Sequence, residues 1–201
     1  MKGKTTEEII LESAKKMFVK HGLEGAKMQQ IANEAGINKA LLHYYFRSKD
    51  RLFEAILEDV FSEVVPVFHM FFKEKKPFIE KIGFFVEAYI DLLKKNPFLP
   101  EFVFNELNRS PQRLINIMIS VGINPQILLT QIEDEIKKGS IKPFDPRHLL
   151  VNILSLTIFP IIAKPILKGV MLGPDEDQFN LFLEERKTHI KEFISNAIVA
   201  A

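Results

Sequence analysis

Apolar side chains recur every three to four residues along most of this chain, which is the period of an α-helix with one buried face. Near the start, Thr5 and Glu8 have the spacing of a capping box, and helical apolar positions continue from there to Gly22. Those positions are Ile10, Leu11, Ala14, Met17 and Phe18. Strand-like alternation is nearly absent. The pattern therefore predicts an all-α protein with about nine or ten helices.

Three more helices are predicted within the first sixty residues, joined by very short links. The second covers about 28–35 and ends at Gly36, since glycine readily adopts the left-handed conformation that a tight turn requires. Asn38 is suited to cap a third helix that runs to about Phe46, and Ser48 to cap a long fourth helix.

Proline marks most of the later helix boundaries, because its missing N–H costs nothing in the first turn of a helix. Helix starts are expected at Pro77, Pro97 or Pro100, Pro111, Pro125 and Pro146. Pro66 differs, because it lies within an otherwise helical apolar stretch, where it is expected to kink the fourth helix. Gly173 and Pro174 separate the last two helices.

Composition excludes several classes of protein. The chain has 201 residues, 47% hydrophobic, and no cysteine, which excludes a disulfide scaffold, a thiolate zinc site and a cysteine nucleophile. The longest uncharged apolar run, 149–163, is shorter than the roughly 20 residues of a membrane span. Glu7 and Glu8 interrupt any signal-peptide pattern. We therefore expect a soluble, cytoplasmic protein with no membrane partner.

The net charge of +1 conceals an uneven distribution. Residues 1–51 carry ten Lys and Arg against six Asp and Glu, whereas residues 52–201 carry 17 against 20. A basic N-terminal segment on a slightly acidic remainder favours a polyanionic partner at the N-terminus.

No motif indicates catalysis. The five histidines form no i, i+4 pair with one another, and no serine lies in a G-x-S-x-G turn. The acidic clusters 133–135 and 175–177 are read as solvated helix ends in preference to a metal site. We therefore expect no enzyme, no metal and no cofactor.

Residues 28–46 have the pattern of a helix-turn-helix. Ala32 is small where the two helices touch, and Gly36 lies at the turn. The apolar positions behind the second helix are Ile31, Ile37, Leu42 and Phe46. Its opposite face presents groups suited to a major groove, namely Lys39, Ala40, Leu41, His43 and Tyr44. Phosphate-binding side chains follow at Arg47, Lys49 and Arg51.

Three motifs in this region match a known family. They are Ile10-Leu11-x-x-Ala14-x-x-Met17-Phe18-x-x-x-Gly22, Ile31-Ala32-x-x-Ala35-Gly36-Ile37 and Tyr45-Phe46-x-Ser48-Lys49-Asp50-x-Leu52. With them, residues 6–60 resemble the DNA-binding domain of the TetR family of bacterial transcriptional regulators. The rest of the chain is similar to that family only in being helical and of the right length.

The resemblance implies an N-terminal three-helix helix-turn-helix DNA-binding domain at 1–50 and a C-terminal helical ligand-binding and dimerisation domain at 51–201. It implies a homodimeric repressor that binds a near-palindromic double-stranded DNA operator and is released by a small-molecule effector. Base-edge contacts are implied for Gln29, Lys39, Ala40, Leu41 and His43. Backbone contacts are implied for Lys27, Asn38, Tyr44, Tyr45 and Lys49.

The sequence departs from the family pattern in two places. Met28 stands where the family usually has threonine or serine, and Ala40-Leu41-Leu42-His43 stands where many members have Gly-Thr-Leu-Tyr. The base preference of a relative therefore does not transfer. Other readings stay open for two side chains: Tyr45 as a core residue, and His43 as a space-filling contact against a sugar.

Eighteen phenylalanines and no tryptophan give the later helices an aromatic interior. These rings are a core in the simplest reading, and a cavity among them would prefer apolar or aromatic guests. The candidate ligand-binding residues are Phe68, Phe71, Phe72, Phe85, Tyr89, Phe102, Phe104 and Asn105. A guest there is expected to act through the fourth helix, which runs from Ser48 toward Pro66.

The segment 149–159 is apolar on nearly every side, so it must be covered all round. The expected cover is the same helix of a second subunit, with the amphipathic helix 175–199 beside it. The predicted dimer-interface residues are Leu150, Ile153, Leu154, Phe182, Ile190 and Phe193. The alternative is a three-layer core within one chain.

Two other functions stay open. A helical small-molecule-binding protein or enzyme that keeps the N-terminal module as a scaffold requires a titratable cluster in its later helices. A protein–protein adaptor requires an exposed apolar patch.

Overall fold

The structure is a computed structural model that describes residues 4–73, 76–97 and 99–199, without the side chains of residues 70–73. These residues form eleven α-helices, one π-helical turn and no strand, which confirms the all-α class. The helices are α1 (Thr6–Gly25), α2 (Met28–Glu34), α3 (Lys39–Tyr45), α4 (Lys49–Lys73), α5 (Phe78–Lys95), α6 (Leu99–Arg109), α7 (Pro111–Ser120), α8 (Pro125–Lys137), α9 (Pro146–Ile162), α10 (Lys164–Leu167) and α11 (Glu176–Ile198). The π-helical turn, Lys168–Leu172, follows the very short α10, which the sequence pattern does not resolve as a separate helix.

Helix α1 begins with the predicted capping box. The Thr5 hydroxyl accepts a hydrogen bond from the Glu8 backbone N–H at 3.3 Å, and the Glu8 carboxylate accepts one from the Thr5 N–H at 2.7 Å. Gly22 has a φ of +66°, so the helix is interrupted where the sequence predicts its end, but it continues to Gly25. The buried residues of α1 face α2 and α4, with which it packs.

Proline positions agree with most of the predicted helix starts. Pro111, Pro125 and Pro146 begin α7, α8 and α9, and the Asp145 carboxylate caps α9 by accepting a hydrogen bond from the Arg147 N–H at 2.9 Å. Of the two alternatives at the start of α6, Pro100 lies in the first turn. Helix α4 continues through Pro66 to Lys73.

Helix α5 is the centre of the later helices, which we call the body (α5–α11). It packs against α4, α9 and α11, and its buried side chains face all three. Its largest fully buried side chains are Ile82, Ile90 and Leu93. Helices α6 and α7 pack against each other, and α7 also packs against α4. The body thus reaches the N-terminal helices along α4.

No single helix in the described part of the chain is long and apolar enough to cross a membrane. Two bent helix pairs meet the length and composition together, α7 with α8 at 72° and α9 with Lys164–Leu172 at 65°.

Two residues predicted for the dimer interface are core residues instead. Ile153 is 3% exposed and Ile190 is 1% exposed, because α9 and α11 turn these side chains toward their own chain. Leu150, Leu154 and Phe182 are half-buried, and Phe193 is 63% exposed. Helix α9 is covered on one side only, since Val151 and Phe159 on its other faces are exposed.

Candidate DNA-binding surface and apolar cavity

The turn between α2 and α3 fixes the orientation of α3. Gly36 has a φ of +67°, and the Ile37 N–H donates a hydrogen bond to the Ala32 carbonyl oxygen at 3.0 Å. Ala32 is fully buried, as the contact between the two helices requires. Ile31, Leu42 and Phe46 are also buried behind the turn. The predicted helix-turn-helix is therefore present, with its apolar side inward.

The start of α3 is capped as predicted. The Asn38 side-chain oxygen accepts a hydrogen bond from the Leu41 backbone N–H at 2.8 Å. This bond satisfies one N–H of the first turn, while other N–H groups of that turn lack helical partners. Helix α2 begins differently, because the side chain of Lys27, the residue before it, makes no capping hydrogen bond. The Lys27 backbone N–H instead donates to the Gln30 side chain at 3.3 Å.

The outward face of α3 is exposed along its whole length. Lys39, Ala40, Leu41 and His43 all lie on it. Tyr44 is 80% exposed and meets the ring of Tyr45 edge-to-face at 5.6 Å between centroids. Tyr45 is 39% exposed, so it is not a core residue.

One ring nitrogen of His43 is held by the backbone. Its Nδ1 lies 3.3 Å from the Arg47 carbonyl oxygen, which can only accept a hydrogen bond. The Nδ1 atom therefore donates, and in the neutral ring Nε2 is left as an acceptor. Such a group can receive a hydrogen bond from a base amino group.

The remaining predicted DNA contacts flank α3. Lys27 and Gln29 are exposed beside and within the first turn of α2, and the Gln29 amide donates to the Asn33 side chain at 2.9 Å. The Lys49 ammonium, at the start of α4, donates to the Glu24 carbonyl oxygen at 3.2 Å. The structure thus brings the ten predicted residues to the start of α2, the outward face of α3 and the start of α4.

This surface carries uncompensated positive charge. Lys27, Lys39 and Arg47 have no carboxylate partner within the described part of the chain, whereas Arg51 pairs with Glu54 at 3.1 Å. Unpaired lysines and arginines beside an exposed helix attract phosphates and release counterions when they bind them.

A contact between the body and the N-terminal helices was not predicted from the sequence. We call it the joint, and it consists of Phe18, Phe53, Phe102, Glu106 and Arg113. The Phe102 ring stacks on Phe53 at 5.1 Å between centroids and lies 6.1 Å from Phe18. Phe102 therefore belongs to the joint, beside a crevice of about 80 Å³ that Asn105 also borders. Phe102 therefore lies apart from the predicted ligand-binding rings of the cavity, because α6 turns it toward α1 and α4.

Charged groups surround the joint. The Arg113 Nε lies 2.8 Å from a carboxylate oxygen of Glu106, a residue that is only 1% exposed. Burial raises the pKa of the Glu106 carboxyl, while the positive charges of Arg113 and Arg109 lower it. Asp50, at the start of α4, lies 3.5 Å from Arg113 and 3.7 Å from Arg109.

An apolar cavity of about 460 Å³ lies between α4, α5, α6, α7 and α9. Three of the predicted ligand-binding residues line it, namely Phe68, Tyr89 and Phe104. Phe85 is 4% exposed and lies behind Tyr89, and the side chains of Phe71 and Phe72 lie outside the described part of the structure.

The cavity has walls that the sequence does not indicate. Ser155, Ile158 and Phe159 line it from α9, and Leu107 and Met118 from α6 and α7. Only tertiary packing places these residues opposite α4 and α5. A second cavity of about 500 Å³ shares the walls Leu93, Pro100, Phe104 and Ile162 and is also bordered by charged residues and by Asn105. No cluster of three His, Asp or Glu side chains that could hold a metal ion occurs among the residues described.

A helix-turn-helix with an exposed basic face, joined to an all-helical body, defines the class of DNA-binding transcriptional regulators. Residues 10–56 match the family model described as bacterial regulatory proteins, tetR family. The HTH-type transcriptional regulator YhgD of Bacillus subtilis is 27% identical over 156 residues, covering 76% of this chain and 80% of that protein. The HTH-type transcriptional regulator RutR of Escherichia coli is 25% identical over 154 residues, covering 75% of this chain and 71% of that protein.

The fold is similar across the whole chain to solved regulators. The ketosteroid transcriptional regulator KstR2 of Mycobacterium tuberculosis has a TM-score of 0.72 at 16% identity, covering 100% of this chain and 98% of that one. Residues 10–56 therefore form a DNA-binding domain of the tetR family of bacterial regulatory proteins, and the chain as a whole is similar to HTH-type transcriptional regulators.

Proposed function

We propose that this regulator is a homodimeric repressor that binds a near-palindromic operator and is released by a small apolar or aromatic effector. Residues 1–50 are the proposed DNA-binding domain, and residues 51–201 the proposed ligand-binding and dimerisation domain. The observation that carries the proposal is the exposed outward face of α3 beside Lys27, Lys39 and Arg47, which have no carboxylate partner among the described residues. The proposed homodimer rests on α9, and the proposed release by an effector rests on the apolar cavity.

Dimerisation is supported by the outer faces of α9 and α11. Phe193, Leu181 and Val151 are each more than half exposed in the single chain, which is unusual for large apolar side chains on two packed helices. Arg186 lies between the helices, and its Nη2 donates to the Leu156 carbonyl oxygen at 3.1 Å. Its Nε is buried with no hydrogen-bond partner within the described residues. A second copy related by a two-fold axis would cover this surface.

Effector control is supported by the course of α4. The helix begins with Lys49 beside the DNA-binding surface, and its later residues Phe61, Val64 and Phe68 line the apolar cavity. A guest that moves these side chains therefore acts on the same helix that places Lys49 beside the DNA-binding surface. For the effector to move the population from bound to free, it must discriminate between the two states by about 5 kcal/mol.

DNA binding is tested by selection from random duplexes with the full-length protein. Lys39→Ala is expected to change which sequence is preferred, because Lys39 lies on the face aimed at base edges. Lys49→Ala is expected to weaken binding to all duplexes alike and to reduce the slope of log affinity against log salt by about one unit. Absence of any sequence preference in the unaltered protein would refute the proposal.

Effector release is tested on the selected operator with a panel of apolar and aromatic compounds. Each compound's binding to the protein is measured beside its effect on operator affinity. A compound that binds in the cavity is expected to lower operator affinity. If several compounds bind there and operator affinity stays constant, coupling through α4 is refuted.

A further inference from the structure

The apolar cavity contains very few groups that can recognise a polar atom. Among its described lining residues, the only side chains with a hydroxyl are Tyr89 and Ser155, and none is charged. The other side chains there are hydrocarbon, apart from the thioether of Met118. Any polar selectivity of this cavity must therefore come from the two hydroxyls or from the backbone.

The ring of Tyr89 is held in a fixed place. It stacks on Phe85 with 5.5 Å between centroids and an interplanar angle of 22°. Phe85 in turn meets Phe68 edge-to-face at 5.4 Å. Stacking on Phe85, which itself packs on Phe68, restricts the Tyr89 ring, so binding a partner at its hydroxyl costs less conformational entropy than it would at a free side chain.

The Tyr89 side chain is half-buried, and its hydroxyl, which faces the space of the cavity, makes no hydrogen bond to a described residue. When a guest displaces water from an apolar site, a phenol there needs such a partner, because an unpaired hydroxyl then costs free energy. Burial also raises the pKa of Tyr89 to about 12, so the hydroxyl keeps its proton at neutral pH and is available as a donor.

We infer that Tyr89 is the polar anchor of the effector, donating a hydrogen bond to an uncharged acceptor oxygen on an otherwise apolar molecule. The inference rests on the proposed effector cavity and specifies its ligand as a neutral, ring-containing ketone, ester or ether. A carboxylate is disfavoured, because the described walls of the cavity carry no cation to pair with it.

The test uses three naphthalene compounds of similar shape and the full-length protein without DNA. They are 2-acetylnaphthalene, which carries the ketone, 2-ethylnaphthalene, which lacks it, and 2-naphthoate, which is an anion. Because the chain has no tryptophan, naphthalene fluorescence can be followed without an indole background. We expect the ketone to bind more tightly than both other compounds.

Tyr89→Phe removes the hydroxyl and keeps the ring that stacks on Phe85. The variant is expected to bind the ketone about five- to ten-fold more weakly, which is the usual contribution of one buried hydrogen bond. Its affinity for the hydrocarbon should not fall, because that compound makes no hydrogen bond. Ser155→Ala is measured in parallel, and thermal unfolding checks that both variants are folded.

Each outcome decides the inference. A ketone-specific loss in Tyr89→Phe supports it. If Tyr89→Phe binds the ketone as tightly as the unaltered protein does, or if only Ser155→Ala binds it more weakly, Tyr89 is not the anchor. The proposal of an effector cavity is not refuted by either result. If none of the three compounds binds the unaltered protein, the effector cavity of the proposed function fails together with the inference.

Discussion

Replacing Arg113 by alanine leaves the buried carboxylate of Glu106 without its closest cation. The two groups are 2.8 Å apart, and Glu106 is 1% exposed while the Arg113 side chain is 19% exposed. The Arg113 guanidinium also lies 5.9 Å from the centre of the Phe53 ring. The substitution therefore removes both an ion pair and a cation–π contact from the joint.

The expected loss of stability is about 3 kcal/mol at neutral pH, the lower end of the range for breaking a buried pair, because Arg113 keeps some contact with water. For a chain of this length, that corresponds to a melting temperature roughly 6–12 °C lower. Arg109→Ala is the matched control. Arg109 faces Glu24 and Asp50 with a side chain that is 41% exposed, so its removal should cost less than about 1 kcal/mol.

The loss should grow as the pH rises. Burial already raises the pKa of Glu106, and Asp50 and Glu54 raise it further, so the folded state holds this proton more tightly than the unfolded state. Stability from such a group is lost as the pH rises through its folded pKa. Removing Arg113 raises the pKa again. The variant is therefore penalised less at low pH, where Glu106 takes up a proton, than at high pH, where its carboxylate is charged.

Urea unfolding followed by circular dichroism at pH 5, 7 and 8, at equal protein concentrations, measures this difference. Adding Glu106→Gln to Arg113→Ala should restore most of the stability, because no buried charge is then left unpaired. An Arg113→Ala midpoint equal to that of Arg109→Ala, or a loss that is the same at all three pH values, would refute the reasoning.

Two further predictions concern the helix-turn-helix and the outer face of α11. Gly36→Ala should cost about 1 kcal/mol by thermal unfolding, because φ is +67° although an added Cβ meets no atom within 4 Å. Gly169→Ala, also uncrowded but without a positive φ, should be neutral, and equal effects would contradict the strain argument. Phe193→Asp should leave the fold intact and weaken the proposed dimer at least 100-fold by sedimentation equilibrium, whereas Ile190→Asp should unfold the chain, since Ile190 is 1% exposed. A Phe193→Asp protein that remains dimeric would place the interface elsewhere.

The features that the sequence predicts correctly have local signals. The capping groups of Thr5 and Asn38, the positive φ of Gly36 and the proline at the start of α9 each depend on a few neighbouring residues, and all were predicted. The helix-turn-helix followed from the same kind of signal.

The features that the sequence does not predict are determined by tertiary packing. The periodicity gives α9 an apolar surface on most sides, but it does not say which side meets α5, so Ile153 was predicted on the interface and lies in the core. Phe102 and Phe104 are two residues apart on α6 and face different places, one the joint and the other the cavity. The ion pair between Glu106 and Arg113 joins two helices, and the sequence pattern of neither helix alone indicates it.

The three tyrosines of the chain lie at only two places. Tyr44 and Tyr45 are side by side on α3, and Tyr89 is in the wall of the cavity. Because no tryptophan masks them, their ultraviolet emission is a built-in spectroscopic signal of both sites. In a Tyr89→Phe protein the remaining emission comes from α3 alone, so a titration with duplex DNA can be followed without attaching any dye.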